Sequence, residues 1–425
     1  MVPNPSLKQK AIELLGQCDA AGLGVDSIQY FEIEGAVVCC LGRYAELLSG
    51  NTVFVGSSRL TKKLDELPRF FDGLLKLAVQ LDPERDVLLT GEGTTCDAMV
   101  RRVAELFQVP ILDLELAPLE PGKLKKAVAK LIDKPVTDSV LVFDFENHGL
   151  DFLLASLAGH MTVLSLRSNG KLHAAVTNRL NESKATRVLV EPMLTKKRLA
   201  QELLSAGATG WYLIDQGAEA EPNAESKTKV QAVSDIDSSK YLLHWTRRRS
   251  GPWPQQTESG FLDDLIFRSS GKDHREIAAL RRILATNCIL AGNELTRDAR
   301  NVVCFSDVAL EELKQRRVFR SHLSRWDFEP YGIAIHREWL KQHGCRAVVY
   351  GDNAKWESLE PNERPFFQLN DPDGKIDWSI EKEWRVVGDV DLRKVPVEAA
   401  LVFVSSESDA CEIADVSRWP IVVLE

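Results

Sequence analysis

The chain is poor in the features that mark several common protein classes. Its eight cysteines in 425 residues include no C-x-x-C pair. That argues against a disulfide-stapled secreted scaffold and a zinc ribbon, and fits a reducing, cytoplasmic setting. No run of about 18 uncharged apolar residues occurs, and the opening MVPNPSLKQKAIELLGQ lacks the apolar core of a signal peptide. Neither a membrane span nor a leader is expected. Positive charge is not in excess either: 53 basic against 62 acidic residues leave a formal charge of −9, divided as 27 and 32 before Tyr241 and 26 and 30 from it onward. Neither half is a broad nucleic-acid footprint, so a nucleic-acid partner would need a local patch. The eight histidines are scattered, without ligand spacing beside an acidic third partner, and no G-x-S-x-G occurs. Neither a metal centre nor a serine-hydrolase triad is expected.

What is present is apolar material for two cores, 44% of the chain. Composition changes near residue 220: of nine tryptophans only Trp211 precedes it. The segment 216–240, QGAEAEPNAESKTKVQAVSDIDSSK, is small, polar and poor in aromatics, and reads as a linker. The expected organisation is an α/β domain over 1–215, a linker over 216–240 and an α+β domain over 241–425.

In the first half, short β-branched runs at 52–55, 87–90, 111–114, 139–143, 161–165, 187–190 and 211–214 alternate with amphipathic stretches at 61–79, 96–107, 122–132, 150–159 and 196–206. This repetition predicts a mostly parallel sheet with helices on both faces, a Rossmannoid architecture. In the second half one helical stretch, 274–285, is followed by strand-like runs at 302–305, 332–335, 346–350, 383–387, 400–404 and 421–424. That pattern predicts an α+β domain built on antiparallel strands.

In the first half, Gly91-Glu-Gly93-Thr94-Thr95-Cys96-Asp97 follows a strand and opens a helix. Free N–H groups and the helix dipole at such a turn suit a phosphate, and Gly56-Ser57-Ser58-Arg59 would form a second wall. A plain turn that needs glycine accounts for the same residues, and both readings stay open. The G-x-G-T pattern over roughly 50–120 resembles the Rossmannoid SLOG group of nucleotide-binding and sensor domains, with the usual acidic residue shifted to Asp97. Asp144, Glu146 and His148 are further polar candidates, more simply read as a helix-start turn.

In the second half, Glu381 and Glu383 are spaced i, i+2, so an extended strand would aim both carboxylates to one side. Close carboxylates repel unless a cation, solvent or a retained proton relieves them. Arg385 shares that face and either pairs with a glutamate or contacts a phosphate. The order H-W-T (244–246), I-L-x-x-N-x-I-L-A-G (283–292), V-V-C-F-S (302–306), R-W-x-F-E-P-Y-G-I-A-I (325–335) and E-K-E-W-R (381–385) resembles the ADP-ribosyltransferase-like superfamily over roughly 240–425. It departs from that pattern in having no glycine after His244 and no S-T-S motif.

The resemblance implies NAD as substrate. His244 would hold the ribose next to nicotinamide, and Thr246 the adenosine side or the amide. Glu383 would be the catalytic carboxylate, and Glu381 would select or activate the acceptor. Tyr331 or Ser306 would supply the middle element, with Tyr331 able to stack on nicotinamide. Cleaving an N-glycosidic bond builds positive charge that a carboxylate stabilises, while a diphosphate calls for cations, here Arg247, Arg248, Arg325 or Arg385. The implied role is an NAD-dependent transferase or glycohydrolase of bacterial defence or toxin type. Its first domain would sense a nucleotide, and its acceptor is a macromolecule or water. Two alternatives remain: a degenerate, nucleotide- or partner-binding module, and an N-terminal N-glycosidase that holds a nucleotide phosphate at the Gly91 loop.

Overall fold

The computed structural model describes residues 6–17, 29–33, 35–41, 50–132, 139–213, 230–233, 236–293, 296–320, 325–370 and 378–424. Its contacts group into two compact units, one of Met1–Ala218 with Gly251–Lys272, the other of Glu219–Ser250 with Asp273–Glu425.

The first unit holds a nine-stranded sheet: β1 (Gln29–Ile33), β2 (Ala36–Leu41), β3 (Thr52–Ser57), β4 (Val87–Thr90), β5 (Ile111–Leu116), β6 (Ser139–Asp144), β7 (His160–Ser165), β8 (Thr186–Leu189) and β9 (Thr209–Trp211). Their order is β1-β2-β6-β5-β4-β3-β7-β8-β9. Strands β3 to β9 run parallel, and β2 joins β6 antiparallel and carries β1. Strand β3 is buried along its whole length, as a strand covered on both faces must be, and its middle, residues 53–55, reads as an apolar run.

Helices cover both faces, and α1 (Leu7–Gln17) and α4 (Pro121–Ile132) pack Leu15 and Leu124 with Val37 of β2 and Leu141 of β6. On one, α5 (Leu150–Leu157), α6 (Lys171–Asn181) and α7 (Lys197–Ser205) pack Leu153, Val176 and Leu203 over β3 and β7. On the other lie α2 (Pro68–Gln80) and α3 (Asp97–Phe107), through Phe70, Leu74 and Val103. Helix α2 begins later than the apolar pattern predicts because Pro68 occupies its first position, where a missing N–H is harmless. Helix α8 (Glu258–Ile266) belongs to this second layer. Its Phe261, Leu262, Leu265 and Ile266 join the core of α2 and α3, and Asp263 accepts both Nε and Nη2 of Arg102 at 2.7 Å.

The second unit has an eight-stranded sheet of β10 (Val230–Ala232), β11 (Tyr241–Trp245), β12 (Val302–Ser306), β13 (Gly332–His336), β14 (Arg346–Ala347), β15 (Glu383–Val387), β16 (Ala400–Val404) and β17 (Ile421–Val423). The order is β10-β17-β16-β13-β11-β12-β15-β14. All neighbours are antiparallel except β10–β17 and β17–β16. Helix α9 (Glu276–Thr286) covers one face with Ile277, Leu280 and Leu284. The α/β class with a second, largely antiparallel sheet is as the sequence predicts.

The units and the expected boundaries differ in two places. Strand β10 lies inside the expected linker 216–240, because Val230–Ala232 completes the edge of the second sheet; residues 216–229 and 234–235 of that linker lie outside the described residues. Gly251–Lys272, expected in the second domain, groups with the first unit because α8 buries its apolar face there. Among the described residues no helix is long and apolar enough to cross a membrane.

Candidate functional site

In the second unit, β11, β12 and β15 are neighbours in the sheet, with Leu243 opposite Ser306 and Ser306 opposite Glu383. This register brings residues far apart in sequence to one cavity of about 240 Å³, lined by His244, Arg247, Cys304, Ser306, Glu381 and Glu383 among apolar neighbours such as Leu290 and Phe305.

His244 is held by its Nδ1, 2.9 Å from the carbonyl oxygen of Cys304. A carbonyl can only accept, so Nδ1 carries the hydrogen and, in the neutral ring, Nε2 is left as an acceptor. Burial lowers the imidazole pKa below its ordinary value, the bond to Cys304 opposes this, and the charge of Arg247 adds to the lowering. The ring is therefore neutral near pH 7. The Ser306 hydroxyl donates to the Glu381 carbonyl at 2.5 Å, and the Asp307 N–H donates to the Lys382 carbonyl at 3.0 Å. Together these bonds pin the turn that carries Glu381.

That turn corrects the expected geometry of the two glutamates. Glu381 ends a 3₁₀ turn, Trp378–Glu381. Lys382 is left-handed at φ +44°, and the strand starts only at Glu383. The two glutamates come to line one cavity through this kink and not through strand alternation.

Arg385 resolves its two open roles. It is 0% exposed, and all five of its N–H donors are used. Nε and Nη2 go to the two oxygens of Glu383 at 2.9 and 3.0 Å, Nη1 to the carbonyls of Pro365 and Phe367, and Nη2 also to Oε1 of Gln368 at 2.7 Å. It is the cation that neutralises Glu383, and it has no donor left for a phosphate.

Two other expected residues lie elsewhere. Thr246 is buried, with its hydroxyl donating to the Glu276 carbonyl at 2.8 Å; it ties β11 to α9 and is absent from the cavity lining. The Tyr331 hydroxyl donates to Asp409 at 3.2 Å, and burial and Asp409 push its pKa up to about 12. It too is absent from the cavity lining. Arg325 stands in a two-residue strand, Arg325–Trp326, and its side chain lies outside the described residues.

Cys304 was not singled out in the sequence. It precedes Ser306 by two residues, the spacing that shares a strand face, and that was the available signal. Burial, and then the charge of Glu383, push its thiol pKa up.

In the first unit, the turn of Gly91, Gly93 and Thr94 follows β4. Both glycines have backbone reasons: a Cβ at Gly91 would sit 2.5 Å from the Leu114 carbonyl oxygen, and Gly93 has φ +99°. Thr94 donates its N–H to the Gly91 carbonyl at 3.2 Å. Asp97 is held by the Thr90 hydroxyl at 3.0 Å and by Nε of Arg101 at 2.8 Å. Strand order reverses between β3 and β7, so the turn lies one strand away from the switch point that open parallel sheets use for ligands.

At the end of β6, Nδ1 of His148 lies 3.1 Å from Asp144 Oδ1, and the Gly149 N–H donates to Asp144 Oδ2 at 2.9 Å. Burial opposes ionisation of Asp144, but bonds from the Gly149 and His148 N–H groups and the His148 ring hold its pKa below the usual range. This is a satisfied helix-start turn. Among the described residues no group of three His, Cys, Asp or Glu is disposed to hold a metal ion.

No protein-family model matches the chain, and no curated protein matches it. Similar solved structures include DNA processing protein A from Helicobacter pylori, 15% identical over 43% of this chain and 90% of that one, TM-score 0.30. DNA processing protein A from Streptococcus pneumoniae is 14% identical over 47% and 77%, TM-score 0.29. The molybdenum cofactor carrier protein from Chlamydomonas reinhardtii is 12% identical over 39% and 90%, TM-score 0.26. At these values none of the similarities bears on what this chain does.

Proposed function

We propose that the cavity of the second unit binds the nicotinamide-ribose end of NAD and cleaves its N-glycosidic bond, passing ADP-ribose to a macromolecule or to water. The supporting observation is that His244, Ser306, Glu381 and Glu383 line a single cavity. At about 240 Å³ it is smaller than the roughly 300–1,000 Å³ of sites for drug-sized ligands. The reacting end of a dinucleotide would be enclosed, with the adenylate half outside.

In this reading Nε2 of His244 accepts a hydrogen bond from a ribose hydroxyl. The C1′–N bond breaks with its electron pair passing to the pyridinium nitrogen, and neutral nicotinamide leaves. Glu383 opposes the positive charge that builds on the sugar. The nucleophile's lone pair forms the new bond at C1′, and its proton passes to Glu381. The first unit would be a nucleotide-responsive regulator of a cytoplasmic defence or toxin effector, a role that rests on analogy alone.

A second reading is favoured by one observation: both oxygens of Glu383 are already held by Arg385. A carboxylate so neutralised suits a site that binds a nucleoside without turning it over.

Incubating the full chain with NAD and following free nicotinamide separates the two. Release that is lost in Glu383→Gln and in His244→Ala, in variants whose melting shows a folded protein, is expected for the first reading. Saturable binding of NAD or nicotinamide riboside with no nicotinamide released would overturn it in favour of the second.

A further inference from the structure

Between β12 and β13 the chain crosses a segment unlike its surroundings. Residues 314–326, KQRRVFRSHLSRW, hold five Lys or Arg and no Asp or Glu, in a chain of net charge −9. Within it Phe319–Arg320 and Arg325–Trp326 form a two-stranded antiparallel ladder, in which Phe319 opposes Trp326 and Arg320 opposes Arg325. A two-stranded pair on its own is marginal in water.

The ladder also shows apolar surface to solvent. Val318 is 49% exposed, Phe319 50% and Trp326 36%. The two rings meet edge to face with centroids 5.3 Å apart, and the Arg317 guanidinium lies 4.4 Å from the centre of the Trp326 ring. Flanking acids temper the charge: Glu312 pairs with Arg316 at 2.7 Å, and Glu329 with Arg317 at 2.9 Å. Charge alone therefore does not select the partner. Arginines combined with two exposed rings do.

Position adds the connection to the cavity. Nη1 of Arg316 donates to the carbonyl of Ile380, the residue before Glu381, at 3.4 Å. Arg247, which lines the cavity, donates to the carbonyl of Asp327, the residue after Trp326, at 3.2 Å. The two chain segments that flank the open end of the ladder are thus tied to residues at the cavity or next to it.

We propose that this ladder docks single-stranded nucleic acid beside the cavity, with bases stacking on Phe319 and Trp326 and phosphates drawn to the excess positive charge of residues 314–326. Every base has a face to stack, so such binding tolerates any sequence, weakens with salt, and prefers an unpaired strand whose base faces are open. That the docked strand is the acceptor of ADP-ribose rests on the function proposed above; the docking itself does not.

The test is fluorescence anisotropy of a short labelled oligo(dT) or oligo(U) with the full-length protein. Binding is expected at about 50 mM salt and is expected to weaken toward about 200 mM. Phe319→Ala or Trp326→Ala, both at exposed positions, should lower affinity by about 5- to 150-fold with unchanged melting, the range for losing one stacked base. Arg320→Glu should lower the slope of log affinity against log salt by about 0.7 or more. No binding at low salt, equal affinity for a duplex, or affinity unmoved by both ring substitutions would overturn the proposal. Nicotinamide release without oligonucleotide binding would sink the docking and leave the NAD reading intact. Oligonucleotide binding without nicotinamide release would uphold the docking and remove its acceptor role.

Discussion

Glu383 and Arg385, two residues apart on β15, form a two-pronged buried pair with bonds of 2.9 and 3.0 Å. Glu383 is 8% exposed and Arg385 0%. The pair presents the carboxylate to the cavity in one orientation, because the guanidinium is itself anchored by Pro365, Phe367 and Gln368.

Removing one member leaves the other buried without its counter-charge. Arg385→Met or Glu383→Leu should each cost about 3–5 kcal/mol, while the Glu383→Leu, Arg385→Met double variant should lose clearly less than the sum. Urea denaturation of the four proteins checks this. Additive losses would mean that the pair does not couple.

His244 provides a pH test. Its folded pKa lies below the ordinary histidine value, so between the two the unfolded chain binds more protons. Stability from this group is therefore full above the unfolded pKa and is lost as pH falls through the folded one. Binding of nicotinamide riboside through Nε2 should fall over the same acidic window, and His244→Gln should flatten the profile. Calorimetric titration across mildly acidic pH reads both.

Thiol reactivity should divide by burial. Cys96 and Cys345 are pushed up to about 12 by burial, and Cys304 is raised as well, whereas Cys411 is exposed. Brief alkylation of the native chain at mildly alkaline pH should label Cys411 and spare the other three, as peptide mass mapping would show. Ready labelling of Cys304 would mean that the cavity does not hold its thiol protonated.

Leu265 on α8 is buried in the core of α2 and α3. Leu265→Ala should cost the first unit about 2–5 kcal/mol. Hydrogen exchange should then quicken in α2 and α3, although the altered residue comes from the second half of the sequence.

Central parallel strands of the first unit were legible because they are buried along their length, which writes short apolar runs such as 53–55 in β3 and 87–89 in β4 into the chain. Helix α6 was not. Its buried face includes Arg179, whose guanidinium is satisfied by the carbonyls of Ala155, Ala158, Gly159 and Ala185 and by Thr186. A charged residue that fills a core position breaks the apolar rhythm that periodicity detects. The antiparallel pair β1–β2 was missed for a different reason: its place beside β6 depends on partners about a hundred residues away.

Glu381 and Glu383 could be picked out from their spacing, and so could the alternation that builds the first sheet, because both are written within a few neighbours along the chain; His244 and Ser306 were singled out through the resemblance that their motifs carry. Tertiary structure decided which of them share a cavity, that Glu381 arrives by a left-handed kink, that Arg385 has no donor to spare, and that Thr246 and Tyr331 serve other contacts. Those outcomes depend on strand register and on competition for hydrogen-bond partners between distant segments, and neither quantity is a property of any short stretch of sequence.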